Sequence, residues 1–321
     1  MLAPQDPLGQ LPVKASTFVG DVDGVYYLCL AICAFFFFLI TGLLIYAVIK
    51  WRRRSPDQPA ASDVTHHTTL EVVWTVVPLI ILMVLFAWGW KGALDMTVAP
   101  ADSVQFQAVG QQWEWQITHP GSPTPVINEM WVPVNTNVKV TLYSNDVLHA
   151  FFVPAFRIKR DVLPGRYQMV WFNATRTSPR DPETGESIGY PMFCAEYCGT
   201  NHSYMIAKIH VVTQEEWDTR PWEVLPEDPV ELGEYIYERR CKSCHTIDGS
   251  ELTGPTFKGV FGREEEMEDG QKVVVDEAYI IESIKEPNAK RVKGYPSQMS
   301  LFPDITDTQI EGIIAYLKTL Q

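Results

Sequence analysis

Residues 194–205 read C-A-E-Y-C-G-T-N-H-S-Y-M and place two thiols, an imidazole and a thioether in one short loop, at Cys194, Cys198, His202 and Met205. Soft sulfur combined with imidazole selects copper or zinc, and a weak methionine ligand favours copper in an electron-transfer role. Such a loop carries electrons; it does not make or break bonds in a substrate. Two cysteines on the exported side of a membrane could instead form a disulfide, but that reading leaves His202 and Met205 unexplained. A structural zinc takes four ligands of Cys and His type, a set in which Met is a poor member. A further nitrogen is available upstream. Residues 138–149, V-K-V-T-L-Y-S-N-D-V-L-H, alternate as a strand and end in His149. A lone histidine at a strand end is ordinarily a hydrogen-bonded surface residue, whereas beside a Cys–Cys–His–Met loop it reads as a ligand.

A second constellation lies near the C-terminus, in E-L-G-E-Y-I-Y-E-R-R-C-K-S-C-H. The C-x-x-C-H run at Cys241, Cys244 and His245 is the signature of c-type haem attachment. Two thiols add to the haem vinyl groups, and the adjacent imidazole takes the proximal position on iron. The sixth ligand should be a Met or His further on. Met267, in E-E-E-M-E-D-G, reads as a solvated loop residue. Met299, in Y-P-S-Q-M-S-L-F-P, precedes a final helical pattern, D-T-Q-I-E-G-I-I-A-Y-L-K-T-L, as class I cytochromes c commonly place it. A Met axial ligand raises the haem potential and suits electron transfer.

The elements that must hold these groups are legible as a three-part plan. Residues 25–49 carry no charge and are long enough to span a bilayer. Residues 72–90 form a second apolar run, with Trp74, Trp88 and Trp90 placed as interfacial anchors. The K-W-R-R-R cluster at 50–54 between them should stay in the cytoplasm, so both termini face outward. The expected hairpin is therefore 25–94, preceded by an outward tail, 1–24, that lacks the pattern of a secretory signal peptide. Cys29 and Cys33, inside the first span, read as small buried apolar residues. Residues 95–216 show short strands at 103–109, 111–118, 138–144 and 205–212, which fits a Greek-key β-barrel of the cupredoxin kind. Pro and acidic residues at 217–229 read as a linker. Residues 230–321 read as one small all-α cytochrome c. The expected fold class is multidomain: a transmembrane helical hairpin, an all-β barrel and an all-α haem domain.

The copper loop taken with His149 resembles the binuclear copper A centre of subunit II of haem–copper cytochrome c oxidases. The resemblance implies two coppers bridged by Cys194 and Cys198, with nitrogens from His149 and His202, a weak sulfur from Met205 and the backbone carbonyl of Glu196. Bridging thiolates would share one unpaired electron between the metals. The carboxylate of Glu196 would reach a magnesium ion at the interface with subunit I. In G-Q-Q-W-E-W-Q-I, Trp113 matches the family's electron-entry tryptophan, an exposed ring over the copper centre, while Trp115 reads as barrel packing. The run E-V-V-W-T-V-V-P resembles the family's E-x-x-W-T-x-x-P segment and puts Glu71 at the mouth of a proton channel into subunit I. The plain reading of Glu71 is an interfacial charge. With its haem domain the chain looks like a subunit II of the fused-cytochrome type. Electrons would enter at the haem, pass to the copper pair and leave for subunit I, where oxygen is reduced to water and protons are pumped.

Charge agrees with this plan. Residues 1–94 contain six basic and six acidic side chains, so the whole net charge of −13 belongs to the outer part. An acidic exterior argues against nucleic-acid binding and suits a positively charged electron donor. The expected partners are subunit I and other oxidase subunits, together with a cytochrome c-type donor or a neighbouring respiratory complex. The expected location is a bacterial inner membrane, with copper and haem domains on the periplasmic side. Two other functions use the same residues: electron input to a copper A-containing nitric oxide reductase, and a membrane-tethered electron carrier without an oxidase partner. A quinol oxidase subunit is disfavoured, since those lack the copper cysteines.

Overall fold

The computed structural model describes residues 11–59, 62, 64–122, 124–295 and 299–321, and the chain divides into two compact units, 17–98 and the remainder. The first is a pair of long helices, α1 (Val19–Trp51) and α2 (Thr68–Thr97). Both are long and apolar enough to cross a bilayer, at 33 and 30 residues. They begin earlier and end later than the uncharged runs alone indicate, because helix propensity continues into their polar flanks. Side chains such as Phe38 and Leu44 point outward all round, a pattern suited to lipid rather than water. Gly24 allows close approach within this unit: a Cβ there would lie 2.9 Å from the Trp88 ring.

The second unit begins with the end of the tail. Ala15 N–H donates to the Ala155 carbonyl, and Ser16 Oγ donates to the Phe156 carbonyl at 2.8 Å. The barrel has two five-stranded sheets. One has the order β3 (Val126–Ile127), β2 (Glu114–Thr118), β1 (Val104–Gln111), β5 (Asn137–Ser144), β8 (Gln168–Asn173). The other runs β4 (Glu129–Pro133), β10 (Ile206–Val212), β9 (Tyr190–Cys194), β6 (His149–Val153), β7 (Ile158–Val162). Strict inside–outside alternation, as in β5, buries one face of each sheet against the other, around Trp115, Phe151, Phe156 and Phe172. The stretch 111–118 is not one strand. Gln111 pairs with Glu114, so Gln112 and Trp113 form the tight turn between β1 and β2.

The stretch 217–229 is exposed over most of its length but anchored at one point. A short helix, α3 (Gln214–Asp218), leads to Trp222, which is buried and stacks on His119 at 4.7 Å and 11°. The haem-binding region then forms four helical pieces and a small hairpin. Helix α4 (Pro229–Ile236), capped by Asp228, runs on as a π-helical turn, Tyr237–Cys241, that ends on the first cysteine of the C-x-x-C-H run. A two-stranded hairpin, β11 (Glu264–Glu266) and β12 (Lys272–Val274), precedes α5 (Glu277–Lys285) and α6 (Asp307–Thr319). The hairpin is an addition to the all-α expectation. Met267 at its turn is buried, 2% exposed, rather than solvated, because it is tucked against Tyr279, whose hydroxyl lies 3.9 Å from its sulfur. The core joins Leu232 and Ile236 of α4 to Ile280 and Ile284 of α5 and Ile310 and Ile313 of α6.

Candidate functional site

The copper-loop side chains converge at one end of the second sheet. His149 opens β6, Cys194 closes β9, and Met205 immediately precedes β10, and these three strands are neighbours with Phe151 opposite Cys194. Because the strands start and stop at the same edge, residues 149, 194 and 205 arrive together. His149 Nδ1 lies 3.8 Å from Cys194 Sγ, and the two sulfurs of Cys194 and Cys198 are 3.8 Å apart. His202 Nδ1 is 3.5 Å from Cys198 Sγ, and Met205 Sδ is 3.8 Å from it. The Glu196 carbonyl oxygen lies 3.2 Å from Cys194 Sγ. His149, Cys194, Cys198 and Met205 are all buried.

This donor set fits a metal on its own chemistry. Cys194 is held well toward the thiolate by its hydrogen bond with Cys198, with His149 assisting against burial. Cys198 is pushed far up by that same hydrogen bond and by burial beside the Cys194 charge. Ionising both sulfurs in such contact would need a cation between them, and sulfur with imidazole is the set a soft metal prefers. The outer nitrogen of His149, Nε2, donates to Asp146 Oδ1 at 2.8 Å, which turns Nδ1 toward the sulfurs. Burial disfavours a charged His149 ring, yet Asp146 and Cys194 together raise its pKa. Gly110 makes room: a Cβ there would come within 3.0 Å of the His149 ring.

The haem motif surrounds an apolar cavity lined by Cys241, Cys244, His245, Met299, Phe302 and Ile313. Met267 is not among its lining residues. His245 Nδ1 donates to the Pro255 carbonyl at 2.8 Å and its ring stacks on Phe257 at 4.3 Å, which leaves Nε2 for an axial ligand position. Burial lowers the His245 pKa and keeps it neutral, as ligation requires. Burial also pushes the Cys241 thiol up to about 12. Gly254 forms part of the cradle, since a Cβ there would sit 2.5 Å from the His245 ring. The residues present fit a covalently held haem.

Trp113 belongs to both sites. Its indole packs on Gly199 of the copper loop, where φ is +120° and a Cβ would come within 3.2 Å of the ring. The same residue, with Gln112 and Glu114, forms part of the wall of the haem cavity. Trp113 is thus only 7% exposed, not the open ring expected, because the haem domain lies over it. Glu71 opens α2 in the helical hairpin, where its Oε1 accepts the His67 N–H at 3.0 Å and closes the first turn.

Sequence reasoning missed several groups around these sites. Asp146 was detectable as an acid three residues before a ligand histidine. Gln112, whose Nε2 donates to the Cys198 carbonyl at 2.7 Å, and Asn201 carry no such signal. Glu114 is also buried, accepting from Gln111 and Gln116 at 2.9 Å each. Burial pushes its carboxyl above the ordinary range, with Arg240 opposing.

Three family profiles align with the chain: "Cytochrome C oxidase subunit II, transmembrane domain" over residues 6–91, "Cytochrome C oxidase subunit II, periplasmic domain" over 121–212, and "Cytochrome c" over 230–321. Cytochrome c oxidase subunit 2 of Cereibacter sphaeroides is 30% identical over 234 residues, covering 61% of this chain and 72% of that one. The subunit of the same description from Alkalihalophilus pseudofirmus is 28% identical over 307 residues, covering 88% of this chain and 83% of that one. Among solved structures, the periplasmic domain of subunit II of the cytochrome oxidase of Bradyrhizobium japonicum is 30% identical. It covers 38% of this chain and 94% of that one, with a TM-score of 0.34.

Proposed function

Because the chain belongs to the cytochrome c oxidase subunit II family and carries a cytochrome c domain at its C-terminus, we propose that it is the electron-input subunit of a fused-cytochrome oxidase. Electrons enter on the haem domain, cross to the copper loop and leave for subunit I, where oxygen reduction and proton pumping take place. The observation that carries this reading is Trp113, which packs on the copper loop and walls the haem cavity at once.

The chain's residues divide the work as follows. Cys241 and Cys244, with His245 and Met299, would hold a haem. Cys194 and Cys198 would hold copper through their sulfurs, with nitrogens from His149 and His202 and further donors in Met205 and the Glu196 carbonyl. Bound there, haem and copper supply one-electron redox chemistry. Burial of His149, Cys194, Cys198 and Met205 keeps water from the copper loop, and the hydrogen bonds to Asp146 and Pro255 hold the two histidine rings in place, so little rearrangement accompanies each electron. The Glu196 carboxylate would serve as a ligand to a magnesium ion at the interface with subunit I, and Glu71 would stand at a proton-channel entrance. Residues 11–16 and those from 99 onward belong to one folded unit, which supports the reading that both ends of the hairpin face the same side of the membrane. The basic cluster at 50–54 supports a periplasmic placement of that side in a bacterial inner membrane. The enzymatic activity belongs to the whole complex.

The test is an optical and electron paramagnetic resonance spectrum of the purified complex. One c-type haem and a mixed-valence copper pair sharing one spin are expected. Cys198→Ser should abolish the copper signal and electron entry while the haem spectrum persists. Normal oxidase turnover in that variant would sink the assignment.

A further inference from the structure

The haem and copper regions touch through a small number of polar contacts. Ser300 Oγ donates to the Gln112 carbonyl at 2.7 Å, Asn128 Nδ2 donates to the Arg239 carbonyl at 2.7 Å, and Arg239 pairs with Glu129 at 2.6 Å. One contact differs in kind. Asn201 sits inside the copper loop, immediately before His202, and is 3% exposed. Its Nδ2 donates to Cys244 Sγ at 3.1 Å, and its Oδ1 accepts from Thr253 Oγ1 at 2.7 Å. Both polar groups of this buried side chain therefore go to the haem domain, and neither serves to shape the copper loop.

We propose that Asn201 is the bridge by which electrons cross from the haem to the copper loop, coupling the Cys244 sulfur to the His202 ligand. The inference rests on the assignment of copper and haem ligands above. Cys244 is one of the two sulfurs that bond the haem, and as a thioether it has no proton to donate but keeps the lone pairs that accept the Asn201 N–H. From Nδ2 the path continues through covalent bonds of Asn201 and the next peptide to the His202 ring, whose Nδ1 faces Cys198 Sγ at 3.5 Å. The route contains a single non-covalent step, and that step is a hydrogen bond. The Trp113 route offers no equivalent: its Nε1 has no hydrogen-bond partner among the described residues, and its ring meets Gly199 by packing alone. One electron crosses per event, oxidising the haem iron by one and reducing the copper pair by one. Asn201 itself gains and loses neither proton nor electron.

The decisive comparison is between Asn201→Leu and Thr253→Val in the full complex. Asn201→Leu keeps the volume and removes the donor to sulfur, while Thr253→Val breaks the other docking contact of the same residue and leaves that donor in place. Flash-induced transfer from haem to copper is followed directly, with the haem absorbance and copper resonance signal confirming that both sites are loaded. Asn201→Leu should slow the transfer severalfold and lower the haem midpoint potential, because the donor to the thioether is lost. Thr253→Val should leave both close to wild type. If Asn201→Leu fails to load copper, Asn201→Ser, whose hydroxyl is too short to reach the sulfur, should give the same slowing. Equal transfer rates and potentials in the Asn201 and Thr253 variants would overturn the bridge and leave Asn201 a docking contact. Absence of the haem or copper signature in the wild-type complex would overturn the ligand assignment itself and the bridge with it.

Discussion

Asp146 and Pro255 do one job by different means. The carboxylate of Asp146 accepts from His149 Nε2 and the carbonyl of Pro255 accepts from His245 Nδ1, each at 2.8 Å. Each contact fixes which ring nitrogen is left for a metal. His119 is a buried histidine with a different task. Its Nε2 accepts the Trp131 N–H at 2.9 Å, a bond that a protonated ring cannot make, and burial lowers its pKa from 6.5 to about 3. The unfolded chain takes up this proton near pH 6.5 while the folded one resists it to about pH 3. Stability therefore rises with pH across that window and is lost as pH falls through it. His210, lowered to about 4 mainly by burial, acts in the same direction. The loss through His119 should be on the order of 2–3 kcal/mol by pH 4.5. Comparing melting temperatures of wild type and His119→Gln at pH 7 and pH 4.5 checks this: the variant should show the smaller drop, and parallel drops would refute it. The candidate ligands were legible because their side-chain types are rare and closely spaced. Their supports were not: Pro255 contributes only a carbonyl, which every residue has, and Asn201 finds its partners more than forty positions away, at Cys244 and Thr253.

Strand register turns separated residues into one site. Three adjacent strands, β6, β9 and β10, begin or end at the same edge, so a slip of one residue would send alternate side chains to the wrong face. Alternation in the sequence located most of this barrel but could not show the turn at Gln112 and Trp113, because polar and apolar residues continue to alternate through it. Composition likewise marked 217–229 as a linker, while Trp222 within it buries its ring on His119. In the haem domain the decisive element contact is between α4 and α6. A Cβ at Gly233 would lie 2.1 Å from the Gly312 carbonyl oxygen, so the two helices cross at backbone distance. Gly233→Ala should force them apart and cost about 1–3 kcal/mol or more. The expected result is a lowered unfolding temperature of the haem domain, followed by haem absorbance, with the copper resonance signal intact. An unchanged transition would show that the crossing is not tight.

At the scale of the whole molecule the charge is lopsided, with all of the net −13 outside residues 1–94. A basic electron donor should therefore be drawn in by the outer part. Its oxidation rate should fall several-fold between roughly 0.01 and 0.15 M salt, as the Debye length shrinks from about 30 to about 8 Å. Steady-state kcat/KM across that range measures it, and a flat profile would mean that the acidity serves solubility alone. The covalent order of the parts was legible, since each carries its own composition and motif. What lay outside the sequence was that the haem domain seats itself on Trp113. That seating closes the Trp113 face of the copper loop to anything arriving from solution. A tether also makes the contact intramolecular, so it forms at an effective concentration set by the chain rather than by how much donor is present. If electrons run as proposed, the molecule carries its own adaptor: whatever donor reduces the haem domain, the joint that would feed the copper loop meets the same partner.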